Sequence, residues 1–203
     1  MFIAERNKRR KKFGGCFTPV MYGPSGLFSF NLVDLAAADT NDILAAQATS
    51  ASVTTTVTSF LAQPAVPRNI VITPGGTTGD VPAGDITVTG TNIKGETISE
   101  TFTLSANQSS ASTGSKAFAT VTSIVFPIQD GAGATYDVGF GVKIGLPTTM
   151  PAASVIDCYV DGVRESTAAT VAFSTTAVES NTVQTNTAPN GSRDFIILYI
   201  PNE

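Results

Sequence analysis

The chain has no histidine and no tryptophan among its 203 residues, and only two cysteines. Without histidine it lacks the commonest general base at neutral pH and the commonest metal ligand, which excludes Ser-His-Asp and Cys-His catalysis within this chain. Cys16 and Cys158 are far apart, and neither has a neighbour at C-x-x-C or zinc-ligand spacing. Two free thiols are therefore expected rather than a zinc site. Charge is scarce as well, at 14% of residues. A carboxylate pair or a lysine nucleophile would have to be drawn from 16 acids and 12 bases scattered through Thr/Ser-rich segments, and no local motif selects one. Asp130, Asp137, Asp157 and Asp161 lie near glycine-rich turns, but no D-x-D-x-D-G series links them, so they read as turn formers rather than calcium ligands. The expectation is a chain that is not an enzyme and has no cofactor and no metal.

Long hydrophobic runs are also missing: none approaches the ~18 apolar residues that a membrane helix requires. The basic residues near the N-terminus resemble the n-region of a signal peptide, but Phe13-Gly14-Gly15-Cys16-Phe17-Thr18-Pro19 follows where the apolar h-region should be. A soluble protein starting at Met1, with no signal peptide and no membrane contact, is expected.

What is present points to β structure. Hydrophobic residues make up 42% of the chain, enough for a core, and Thr, Ser, Val and Ile supply the β-branched and short side chains that suit a pleated, half-exposed sheet. Charge is unevenly placed. Residues 1–12 carry six Lys/Arg and Glu5, a net +5, against −9 for the remainder. The expected binding element is this arm, with Arg6, Lys8, Arg9, Arg10, Lys11 and Lys12 as its charges and Phe2, Ile3 and Phe13 as apolar anchors. It could neutralise nucleic-acid phosphates or dock on an acidic protein surface, and a solvated tail is the bland alternative.

Residues 1–15 are read as the arm, 16–52 as an extended transition segment with at most a short helix, and 53–203 as the β domain. In the transition segment, Asp39-Thr40-Asn41-Asp42 offers an N-cap cluster ahead of Ile43-Leu44-Ala45-Ala46-Gln47-Ala48. Beyond it, strands are expected near 53–60, 69–73, 85–91, 97–104, 116–126, 135–144, 155–160, 170–174 and 194–200. In Asp85–Thr91, Ile86 and Val88 face opposite to Thr87, Thr89 and Thr91. In Thr97–Leu104, Ile98, Phe102 and Leu104 oppose Thr97, Ser99, Thr101 and Thr103, and Gly95 serves the hairpin loop between the two strands. The apolar run Phe195–Ile200 predicts a strand covered on both faces, and residues 162–192 have the composition of exposed hairpins or loops. Together these give an antiparallel β-sandwich, immunoglobulin-like first and jelly roll second.

Several runs in order carry a resemblance: Val66-Pro67-Arg68-Asn69-Ile70, Thr73-Pro74-Gly75-Gly76-Thr77-Thr78, Val88-Thr89-Gly90-Thr91-Asn92 and Gly95-Glu96-Thr97-Ile98-Ser99-Glu100-Thr101. Lys116-Ala117-Phe118, Val121-Thr122-Ser123-Ile124 and Gly139-Phe140-Gly141-Val142-Lys143-Ile144-Gly145-Leu146-Pro147 continue it. From about Asp39 to Pro147 the chain resembles small structural proteins of tailed-bacteriophage virions, of the head-associated or decoration type. The resemblance implies a capsid decoration or cement protein in the virion, made in the host cytoplasm. Its partners would be the major capsid protein or other virion proteins, with homo-oligomer or lattice contacts. Nucleic acid would be reached only through the arm. A neck, tail or fibre-base protein, and a carbohydrate-binding β module, are the alternatives. The family brings no catalytic residues, and the arm and the region after Pro147 are not part of the resemblance.

Overall fold

The hairpin read most directly from the sequence forms as expected, with Gly84–Thr91 and Thr97–Leu104 paired from Gly84↔Leu104 to Thr91↔Thr97. Gly95 closes its loop at φ +80°, a backbone region that side chains disfavour. Ile86, Val88, Ile98, Phe102 and Leu104 are buried, while Thr101 and Thr103 are exposed.

The computed structural model describes residues 20–22 and 26–201. Its strands are β1 (Val20–Tyr22), β2 (Leu27–Leu32), β3 (Asp39–Ala48), β4 (Thr55–Val57), β5 (Arg68–Gly76), β6 (Gly84–Thr91), β7 (Thr97–Leu104), β8 (Ser112–Phe118), β9 (Thr120–Phe126), β10 (Ala134–Gly145), β11 (Val155–Val160), β12 (Val163–Arg164), β13 (Thr170–Ala172), β14 (Thr182–Gln184) and β15 (Phe195–Tyr199). Strand occupies 51% and helix 3%, so the protein is all-β, and every described pairing is antiparallel.

Three sheets result. The first runs β1-β2-β15-β11-β12, the second β13-β14-β10-β5-β8 with β3 also paired to β10, and the third β4-β9-β6-β7. The second sheet serves two cores. At one end Ile70, Ile72, Tyr136 and Val138 pack with Ile86, Val88, Phe102 and Ile124 of the third sheet. At the other, Ile144 and Val183 join Phe30, Leu32, Phe195, Ile197 and Tyr199 of the first. The long strand β10 passes from one core to the other, with Phe140 in the first and Ile144 in the second. Its register with β5 shifts between these two residues.

Four expectations are corrected. The stretch 43–48 is not a helix but the second half of β3, because β10 offers it a ladder from Phe140↔Asp39 to Thr135↔Ala48. Asp39 accepts from the Asn41 N–H two residues on, a local turn rather than a helix cap. The strand expected over 116–126 is two strands, since the chain leaves the second sheet at Phe118 and enters the third at Thr120. Ala119 donates to the Thr91 carbonyl at that crossing. The last strand is buried on one face only: Phe195, Ile197 and Tyr199 are inside, Ile196 and Leu198 are half-buried, and Ile200 is 37% exposed. Finally, 162–192 is not all exposed loop, because Val178, Asn181, Thr182 and Val183 are buried around β14.

Candidate functional site

The residues expected to bind partners, Phe2, Ile3, Arg6, Lys8, Arg9, Arg10, Lys11, Lys12 and Phe13, lie outside the described residues, as does Cys16. The other chemistry-bearing groups are held in structural roles. Cys158 is buried in the second core, and burial, with a smaller push from the Glu165 and Asp157 carboxylates, raises its thiol to about 11. At neutral pH it is a thiol and a poor nucleophile. Among the described residues no three His, Cys, Asp or Glu side chains are grouped to hold a metal ion.

The four aspartates read from the sequence as turn formers are spread across the fold. Asp137 accepts from the Ala46 N–H at 2.6 Å, Asp157 pairs with Arg164 at 2.6 Å, and Asp161 accepts from the Asp194 N–H at 3.0 Å. Asp130 donates its N–H to the Asp80 carbonyl at 3.1 Å.

Two adjoining clefts, of about 350 and 220 Å³, flank Arg164, Glu165 and Ser166 after the β11–β12 hairpin. Their charged side chains are engaged by the protein itself. Glu165 accepts from the Asn186 and Thr187 N–H groups at 3.2 and 2.5 Å, and Arg193 donates to the Ala188 carbonyl at 2.8 Å. Cys158 lines the smaller cleft beside Asp157 and Glu165, but its thiol is raised to about 11 and both carboxylates are engaged, by Arg164 and by the Asn186 and Thr187 N–H groups.

The outer face of the third sheet is an uncommitted surface. Alternation along β6 and β7 sends the apolar residues into the first core, which leaves Thr87, Thr89 and Thr91 beside Thr101, Ser99 and Thr97 on the outside. β9 adds Thr120 and Ser123 next to Thr91 and Thr89, and a bulge between Ser123 and Val121 turns Thr122 outward as well. Thr91 and Thr120 hydroxyls lie 2.7 Å apart, and Thr122 donates to the Thr89 carbonyl. The charge on this face is Asp85 at one corner, where it accepts from Thr103 at 2.7 Å. The sequence alternation made the threonine lining of β6 and β7 legible. Their alignment with β9 was not, because register across non-consecutive strands is a tertiary property.

Sequence reasoning also missed Glu100. It shares the inward face of β7 with Ile98 and Phe102, and its carboxylate accepts from the Ser115 N–H at 2.7 Å and the Ser115 hydroxyl at 2.8 Å. Lys116 Nζ returns a bond to the Ser99 carbonyl at 2.8 Å. These side chains join the edge of β8 to the edge of β7 where no backbone ladder exists, covering part of each edge. A carboxylate at an inward position of an alternating strand was the available signal.

Fold and surface thus define a class: an all-β protein built from antiparallel sheets, with a wide hydroxyl-lined face. No family model, no curated protein and no solved structure matches the chain.

Proposed function

We propose that this chain is a non-catalytic structural protein of a tailed-phage virion, a decoration protein seated on the major capsid lattice. The observation that carries this reading is the outer face of β4, β9, β6 and β7, wide, nearly free of charge and dense in hydroxyl groups. Such a face suits protein contact, where charged residues are depleted from the centre of the buried patch. It does not suit small-molecule chemistry, which needs concavity and converging polar groups. The order of turn motifs from about Asp39 to Pro147 supplies the phage part of the reading. In the same reading the second and third sheets face each other as a β-sandwich of immunoglobulin-like type, with the jelly roll as the second form, and the basic arm reaches a neighbouring capsid subunit.

Quantitative mass spectrometry of purified virions tests it. Copies in the hundreds per particle are expected for a lattice-bound protein. A count on the order of ten, as in a single symmetric ring, would move the chain to the neck or tail. Absence from the particle would end the reading.

A further inference from the structure

We propose that the hydroxyl face of the third sheet is a homotypic docking surface, on which a second copy of this chain packs the same face about a two-fold axis. This concerns the free chain, and seating of the same face on a capsid lattice would displace the second copy.

Three observations select a second copy as the occupant. The first is self-complementarity. A hydroxyl is both a donor and an acceptor, so a face lined by Thr87, Thr89, Thr97 and Thr101 can satisfy a copy of itself. A face lined by one sign of charge, or by carbonyls alone, could not. An isologous contact requires this property, since the same patch must serve both sides.

The second is charge. Across β6, β7 and β9 the outward positions hold Asp85 at the corner, already hydrogen-bonded by Thr103, so bringing two faces together opposes few like charges. The rest of the chain outside the arm carries a net −9, which would repel a second copy at most other approaches.

The third is size. The sheet is four strands wide and its long strands have eight residues. With β9 at seven residues and β4 at three, ~4.8 Å between strands and ~3.3 Å per residue give a face of ~400 Å². Two such faces meeting remove about 800 Å² from water, short of the ~1,000 Å² of a stable interface and in the range of weak, transient contacts. The short side chains let the two backbones approach closely, and the methyl groups of threonine supply the apolar part of the contact. An interface of this size and polarity gives weak, reversible association.

Sedimentation velocity over a concentration series reads the proposal. The full-length chain is expected to be a monomer–dimer equilibrium. Thr89→Lys combined with Thr101→Lys puts four cations across the two-fold and should weaken association by at least ~100-fold, as like charges opposed at an interface cost several kcal/mol. Thr167→Lys, exposed and away from this sheet, should change nothing. If the lysine variant folds poorly, Thr89→Val with Thr101→Val keeps shape and β-propensity while removing two hydroxyls per face, and association should fall by ~10-fold.

A parent chain that stays monomeric to about 1 mM, the weak end of specific association, overturns the proposal. So does a parent that associates while both the lysine and the valine variants associate equally well. Particle loading is scored separately. A chain that dimerises through this face yet never enters virions keeps the docking surface and loses the virion reading, and a chain that loads while remaining monomeric does the reverse.

Discussion

Arg68 donates from Nε, at 2.8 Å, and from Nη2 to the carbonyl of Gly141, holding the point where β10 shifts register and passes from one core to the other. Nη1 reaches the Ala36 carbonyl at 2.8 Å, and the residue is 3% exposed. Neighbouring Asn69, fully buried, accepts from the Lys143 N–H at 2.9 Å and donates to the Gly114 carbonyl at 3.2 Å. A strand that bends leaves carbonyls and N–H groups off the ladder, and these two side chains satisfy them. Burial lowers the Arg68 guanidinium to about 10 against a smaller opposing effect of Asp42, so its desolvation is offset mainly by carbonyl contacts. Arg68→Ala, which strands those carbonyls, should cost about 3–5 kcal/mol in urea denaturation. Arg68→Lys should recover only part of this, because a point donor cannot reproduce the planar fork.

On β7, Phe102→Ala should lower stability by about 3–5 kcal/mol, since the ring is 5% exposed within the first core. Thr103→Ala, losing an exposed hydroxyl bond to Asp85, should cost well under ~1 kcal/mol. Equal small losses would show the hairpin to be in the other register.

Ala46 sits in β3 at φ +46°, where the ladder with β10 shifts register between Tyr136 and Val138. An L side chain there costs about 1–2 kcal/mol, more than glycine's extra backbone entropy, so Ala46→Gly should raise the thermal midpoint. Gly90→Ala should do the opposite, and strongly. A Cβ at that position would lie 1.9 Å from the Thr120 carbonyl oxygen, forcing β6 and β9 apart at their bulge.

Cys158 has a folded-state pKa raised from 9.0 to about 11. Below pH 9 the thiol is protonated in both folded and unfolded chains. Between 9 and 11 only the unfolded chain releases the proton, so the stabilisation linked to this group is lost as pH rises through that window. In a Cys16→Ser background, a disulfide reagent at pH 8.5 should label the native protein far more slowly than the urea-unfolded one. Equal rates would mean the thiol is accessible.

The basic arm is expected to be an assembly element. Deleting residues 1–12, or changing Phe2 and Ile3 to Ser, should reduce incorporation into particles that lack the protein, and salt should weaken loading of the parent without abolishing it. Binding to DNA alone would instead fall steeply with salt and ignore Phe2 and Ile3. Unimpaired loading by both variants at every salt concentration would make the arm a passive tail.

Local alternation was enough to specify the all-β class, the β6–β7 hairpin and which of its residues face inward, because a period of two and a turn glycine act over a few residues. The scarcity of charge and the absence of histidine likewise narrowed the chemistry without any structure. What only the tertiary structure decided depends on partners distant in sequence. Residues 39–48 carry signals for a helix start, yet they lie as a strand because β10, nearly a hundred residues later, supplies a ladder. Threonines on β9 join those of β6 because strand order brings Thr120 to Thr91, and no periodicity encodes strand order. Arg68 looks like an ordinary surface charge in the sequence. It is buried because β10 bends over it, and its carbonyl partners exist as acceptors only once that bend has formed.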